Sequence, residues 1–179
     1  MNPIPLPLSF YDQKAETVAK ALLGVTLVFE TKRLRIVETE AYIGTHDLAS
    51  HAAKGHTKRT EVMFGPPGRA YIYLIYGIYE LFNVVTGSEG DAQAVLVRAA
   101  EPLEGVTGKT DGPGKLTRAL GLGRAYNRHD LMEPPLMLEA GTPPAQVVTT
   151  TRIGVDYAGV WKDAPLRFYD ADSRWVSRR

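Results

Sequence analysis

The chain has 179 residues, 44% of them hydrophobic and 23% charged, with 21 Lys/Arg against 20 Asp/Glu and a formal net charge of +1. That is enough for one globular unit with a proper core, and it excludes a strongly basic nucleic-acid-coating protein, though not a basic face. The absence of cysteine excludes disulfides and thiolate metal sites; no eighteen-residue apolar run or basic n-region is seen, so a cytoplasmic protein without membrane span or signal peptide is expected.

In chain order, YDQKAETVAKALL (11–23) places Val18, Leu22 and Leu23 at helical spacing, and Gly24 follows as a stop. VTLVFE (25–30) and LRIVETEAYI (34–43) read as a β-hairpin turning at Thr31-Lys32-Arg33. Residues 44–69 read as a long loop with one short helix. AYIYLIY (70–76) and IYELFNVV (78–85) are two strands around Gly77, and AQAVLVRAA (92–100) is another. TDGPGKLTRALGLG (110–123) predicts a helix stopped by Gly121 or Gly123, and Asn127 reads as the N-cap of a short helix. Residues 135–179 are turn-rich with short strands. Strands outnumber helices and come in hairpins. The reading is an α+β fold: a single domain over residues 1–179, a mostly antiparallel curved sheet with surrounding helices and a protruding β-hairpin.

Several groups of residues could carry chemistry. Strand period puts Glu38, Glu40 and Tyr42 on one face. Glutamate is a poor strand residue, so it marks either a solvated face or a function. YIYLIYGIY holds Tyr71, Tyr73, Tyr76 and Tyr79 in nine residues. These are either an aromatic core hairpin or flat faces for stacking a planar ligand such as a nucleobase. His46, His51 and His56 recur every five residues, a spacing that matches no metal motif, so no metal and no cofactor is expected. GPPGRAY (65–71) and DGPGK (111–115) lack the phosphate-loop spacing. Asn83 and Arg98 interrupt apolar strands; each is either a satisfied edge residue or a group pointing into a cavity.

Taken together, ETEAY, YIYLIYGIY, LVRA, GPGKLTRALGL and NRHDL, in this order over roughly residues 10–135, resemble the 3-methyladenine DNA glycosylases of the alkyladenine type, in a compact bacterial-like form. The resemblance implies a monofunctional, monomeric enzyme that flips damaged purines out of double-stranded DNA and hydrolyses the N-glycosidic bond in base excision repair. Its substrates would be 3-methyladenine and 7-methylguanine, extending to hypoxanthine and etheno-adenine. It further implies Glu40 as the general base, Arg98 as its partner in holding water and phosphate, and Tyr42, His51 and Tyr73 as pocket walls. Asn83 is implied as the filter against the purine 2-amino group and Tyr76 as the wedge in the minor groove. Ile78 follows Tyr76-Gly77 where some relatives have Met, and is expected in groove packing. Glu38 receives no catalytic role and is expected to support the strand or bind nearby backbone.

Elementary chemistry agrees with these implications. A base in a duplex must be extruded before it can be reached, and stacking recovers part of that cost. Bond cleavage leaves positive charge on the sugar, which a carboxylate stabilises while it takes a proton from water. A cationic alkylpurine leaves readily and stacks well on tyrosine. Lys115, Arg118 and Arg124, around the GPGK turn, are candidate phosphate contacts. The rivals are a non-catalytic lesion-binding protein, a metal-dependent hydrolase using His46, His51 and Asp47, and an RNA-binding module using the tyrosines.

Overall fold

A computed structural model describes residues 2–179. Eight strands form one antiparallel sheet: β1 (Thr26–Phe29), β2 (Lys32–Tyr42), β3 (Ala70–Ile75), β4 (Tyr79–Thr86), β5 (Gln93–Glu104), β6 (Leu136–Glu139), β7 (Val147–Thr150) and β8 (Arg167–Asp170). The main order is β3-β4-β5-β2-β1-β6, and the β7–β8 pair joins through β8 against β2. Helices α1 (Leu8–Tyr11), α2 (Ala15–Ala21) and α3 (Pro113–Leu120) complete the α+β fold. No described helix is long and apolar enough to cross a membrane.

Strand β2 organises the sheet. Along one edge it pairs with β5 over nearly its whole length. Along the other it pairs with β1 at Lys32–Arg35 and with β8 at Glu38–Glu40. The register against β5 slips on each side of Glu38. Ile36 faces Ala100 and Glu38 faces Ala99, so Val37 is extra on β2; Thr39 then faces Val97, so Arg98 is extra on β5. Each slip is a β-bulge, and each changes which face the following residues take.

This parity change is what makes a site possible. Leu34 and Ile36 lie in the core with Val95, Val97, Phe82 and Val84, beneath Tyr11, Val18 and Leu22. In an unbroken strand Glu38, Glu40 and Tyr42 would share their face. The Val37 bulge turns Glu40 and Tyr42 to the opposite face, where Tyr71, Tyr73, Asn83, Leu96 and Arg98 line a cleft. The sheet thus has one dry face, where each fully buried large apolar side chain contributes roughly 1.5–3 kcal/mol, and one face given over to the cleft.

Several local expectations shift. The helix expected over 11–23 is broken into α1 and α2, and Leu22 rather than Gly24 caps α2. Gly24, at φ +91°, donates its N–H to the Ile36 carbonyl, and a Cβ there would meet the Thr142 carbonyl oxygen at 2.2 Å. The first hairpin turns at Glu30-Thr31, one step before the expected turn, with Glu30 left-handed. The 44–69 loop holds two 3₁₀ turns, His51–Lys54 and Glu61–Phe64. Asn127 caps the end of a 3₁₀ turn, Arg124–Tyr126, rather than the start of a helix. Its Oδ1 accepts the Ile72 N–H at 2.9 Å, because the second edge of β3 needs a partner there. The helix expected over 110–123 is α3, closed by left-handed Gly121.

Deleting Val37 should abolish cooperative folding, because either Leu34 and Ile36 or Glu40 and Tyr42 must then face the wrong side. Urea unfolding followed by circular dichroism checks this. A cooperative transition with wild-type midpoint would refute the role given to the bulge.

Candidate active site

The cleft has a volume of about 620 Å³. Its floor comes from β2, β4 and β5. One wall is β3 with the loop after Ser50, the other is the segment Ile153–Tyr157, and its mouth lies between the hairpin tip and α3.

Glu40 lies at the floor with no solvent-exposed surface of its own. Its Oε1 accepts the Tyr42 hydroxyl at 2.8 Å, and its Oε2 accepts the Ile153 N–H at 2.7 Å. Arg98 Nη1 lies 3.6 Å from the same Oε2. A carboxylate has about four acceptor positions, so these contacts leave capacity toward the cleft for a water. Glu40 is thus held in one orientation by two donors and one cation.

Glu38 is equally buried but lies outside the cleft. Its Oε2 accepts Arg167 Nη1 at 2.8 Å, and its Oε1 takes the Ser177 N–H at 3.1 Å and the Ser177 hydroxyl. It binds backbone as expected, but a distant one: the C-terminal tail. Arg98 lies between the two glutamates, 3.7 Å from Glu38 and 3.4 Å from Ser177 Oγ. Glu38 therefore anchors the arginine that faces Glu40.

The aromatic walls are interlocked. His51 stands edge-on to Tyr73 with ring centres 4.4 Å apart, and its Nδ1 shares a hydrogen bond with the Tyr71 hydroxyl at 3.1 Å. Burial, then the charges of Arg59 and Lys54, push the His51 imidazole down to about 4, so it is neutral near pH 7. Burial pushes the phenols of Tyr42 and Tyr73 up, with Tyr71 and then Glu40 adding to Tyr73 and Glu40 adding to Tyr42. All three walls are neutral faces. Asn83, 3% exposed, donates its amide to the Tyr71 carbonyl at 3.3 Å and borders the same space.

At the mouth, Tyr76 and Gly77 form a two-residue turn with φ of +52° and +70°, and Ile78 N–H returns to the Ile75 carbonyl. Tyr76 is 84% exposed and Ile78 70%. Tyr76 lines the cleft, whereas Ile78 lines a neighbouring groove with Tyr79 and Arg118. Lys115 and Arg118 reach the cleft from α3. Gly114 lets α3 approach the hairpin, since a Cβ there would meet Tyr79 Cδ1 at 2.8 Å. Arg124 is drawn away from the cleft to Glu80, 3.3 Å distant.

The structure therefore gathers Glu40, Arg98, Tyr42, His51, Tyr73, Asn83, Tyr76, Lys115 and Arg118 around one cleft, and sets Ile78 beside it. Sequence reasoning named Tyr71 only as one of four tyrosines that are either core or stacking faces, and it missed Tyr157, the Ile153–Val155 backbone and Arg152. The Arg152 guanidinium has no exposed surface. It holds both Asp47 oxygens at 2.6 and 2.9 Å, donates to the Ala41 and Trp161 carbonyls, and lies 4.9 Å from the Tyr42 ring centre. No local pattern joins positions 47 and 152. Asp47 is consumed by this pair, His46 packs edge-on to Trp161, and among the described residues no group of three or more His, Asp or Glu is placed to hold a metal ion.

The family model described as methylpurine-DNA glycosylase matches residues 9–174, which takes in the whole cleft. The chain belongs to the methylpurine-DNA glycosylase family. It is 58% identical over 181 residues to a Myxococcus xanthus protein, covering 97% of this chain and 93% of the relative. It is 52% identical to one from Anaeromyxobacter dehalogenans strain 2CP-1 (97% and 85%) and 48% identical to one from Legionella pneumophila strain Lens (97% and 98%). All three carry the name "Putative 3-methyladenine DNA glycosylase". The cleft just described is thus the candidate active site of a DNA glycosylase.

The neutral His51 gives this enzyme a pH signature. Its pKa is depressed in the folded chain, so the unfolded chain binds the proton more readily. The stability this contributes is complete above about 6.5 and is lost as pH falls toward 4. Urea midpoints at pH 7 and pH 5 should fall for wild type and fall less for His51→Gln. Equal decrements would show that His51 does not titrate this way.

Proposed function

We propose that this DNA glycosylase acts as a monomer on duplex DNA, flips a damaged purine into the cleft and hydrolyses its N-glycosidic bond with water. The observation that carries this reading is the fully buried Glu40, held by the Tyr42 hydroxyl, the Ile153 N–H and Arg98 at the floor of a pocket walled by neutral aromatic rings. A pure binder of anionic DNA would gain nothing from that carboxylate.

The extruded base stacks among Tyr42, His51 and Tyr73, with each stacked contact contributing about 1–3 kcal/mol. Tyr76 fills the vacated space in the duplex, aided by Ile78 beside it, while Lys115 and Arg118 meet phosphates. A wedge role accounts for an oddity of the turn. Tyr76 is left-handed, where Asn or Gly costs less, so turn chemistry alone does not explain a tyrosine there.

As the C1′–N bond lengthens, positive charge grows on the sugar and Glu40 stabilises it. Glu40 takes one proton from water, the oxygen bonds to C1′, and the base departs with the bonding electron pair. A base alkylated at N3 or N7 leaves neutral without further protonation. Hypoxanthine needs a proton from solvent. Arg98 orients the water and the adjacent phosphate. Asn83 disfavours purines that carry a 2-amino group, so undamaged guanine is refused, while 7-methylguanine is still excised because its cationic base leaves readily. The product is an abasic site, which enters base excision repair in the bacterial cytoplasm. The lesion range extends from 3-methyladenine and 7-methylguanine to hypoxanthine and etheno-adenine.

Single-turnover reactions in EDTA on duplexes with one 7-methylguanine or one hypoxanthine, followed by hot alkali, test this. Wild type should yield alkali-dependent cleavage, and Glu40→Gln should lower the rate about 10²-fold or more with lesion binding kept. Binding without cleavage by wild type would leave a lesion-binding protein instead. Asn83→Ser should raise excision of undamaged guanine relative to wild type; an unchanged substrate profile would remove Asn83 as the filter. Tyr76→Ala should weaken lesion-duplex binding, and unaltered affinity would remove the wedge.

A further inference from the structure

Both aromatic walls have an arginine against them, but the two arginines differ in charge balance. Arg152, against Tyr42, is neutralised by both oxygens of Asp47. Arg59 lies with its guanidinium carbon 5.3 Å from the centre of the Tyr73 ring. It does not line the cleft, so it sits behind or beside the wall rather than in the base site. It has no carboxylate partner among the described residues; Glu61, two positions on, is taken by Arg128. It donates a hydrogen bond from Nη2 to the Leu74 carbonyl at 3.2 Å, which ties the 57–60 turn to β3, and its charge and hydrogen bonding also reach the Tyr71 phenol, opposing the rise in pKa that burial gives it.

A cation against one side of an aromatic ring uses the ring's negative face and repels a second cation brought to the other. The lesions of the proposed reaction fall into two charge classes. Purines alkylated at N3 or N7 are permanent cations, whereas hypoxanthine and etheno-adenine are neutral. The field of Arg59 also reaches the neighbouring walls, since it is the second cause, after burial, of the lowered His51 proton affinity.

We propose that Arg59 is a specificity residue: its uncompensated charge against Tyr73 biases the pocket toward neutral purine lesions and away from cationic ones. This rests on the base-pocket reading of the cleft. The easier departure of a cationic base and its poorer reception in this pocket oppose one another, which narrows the rate difference between the two classes.

The test compares single-turnover excision from two otherwise identical duplexes, one with 7-methylguanine and one with hypoxanthine. Contacts to DNA outside the pocket cancel in the ratio of the two rates. Arg59→Gln should raise the 7-methylguanine to hypoxanthine ratio by about two- to fivefold, the size expected for a cation–π contact at an exposed site. Arg59→Lys, which keeps the charge, should leave the ratio close to wild type. Lys58→Gln, which removes a charge from the same turn without contact to Tyr73, should also leave it unmoved. If Arg59→Gln changes both rates in parallel, Arg59 only braces the turn against β3 and the inference is overturned. If Lys58→Gln shifts the ratio equally, the effect is one of overall charge and the inference is again overturned. A wild type that excises neither base would overturn the proposed function itself, a result distinct from an unmoved ratio in an active enzyme.

Discussion

Two carboxylates buried two residues apart in the central strand must be compensated, and much of this structure follows from that requirement. Removing Glu38 and Glu40 from water costs several kcal/mol each unless cations and donors surround them. Arg98 serves both, Arg167 and Ser177 serve Glu38, and the Ile153 N–H serves Glu40. These partners come from β5, β8, the C-terminal tail and the 151–155 loop. The electrostatic demand of one short stretch of β2 therefore gathers distant parts of the chain. The two bulges meet at this place because Glu38 and Arg98 must both leave the dry face of the sheet.

The division of labour between the two glutamates follows from their saturation. Glu38 has a donor or cation on each oxygen and no access to the cleft, so it can only hold Arg98 and the tail. Glu40 has similar compensation but borders the cleft. A carboxylate that is charged, oriented and incompletely solvated is suited both to accept a proton and to stabilise an adjacent cation. Asp47 and Arg152 extend the same logic outward. Their buried pair links the end of β2, the approach to His51 and the Trp161 segment, so Tyr42 is braced from behind. Such pairs add little net stability against an apolar alternative, but losing one partner leaves a buried charge at a cost of about 3–5 kcal/mol.

The walls and the mouth differ in rigidity for physical reasons. The pocket rings are buried, mutually packed and neutral, which suits a site that receives a flat base without rearranging. The hairpin tip projects into solvent with a tyrosine in a left-handed turn position. Both features lie within the part of the chain that matches the methylpurine-DNA glycosylase family.

The sequence by itself determined most element types, the hairpin around Gly77 and the antiparallel α+β class, because these depend on near-neighbour spacing: alternation along strands, turn glycines, and tyrosines crowded into nine residues. Spacing left Glu40, Arg98 and Asn83 with two readings each, and their place at a site came from the resemblance to a known family. The sequence was silent on the Val37 and Arg98 bulges. Simple period placed Glu40 and Tyr42 together but did not separate them from Leu34 and Ile36, which share their parity. It was also silent on Arg152 with Asp47, on Ile153 with Glu40 and on Ser177 with Glu38, pairs separated by 105, 113 and 139 positions. The short helix expected after Asn127 failed for a related reason, as that side chain serves an unpaired N–H of β3 instead of starting a helix. Only the closed tertiary structure decided these points, because a buried charge or an open strand edge takes its partner from whatever segment the fold brings within reach.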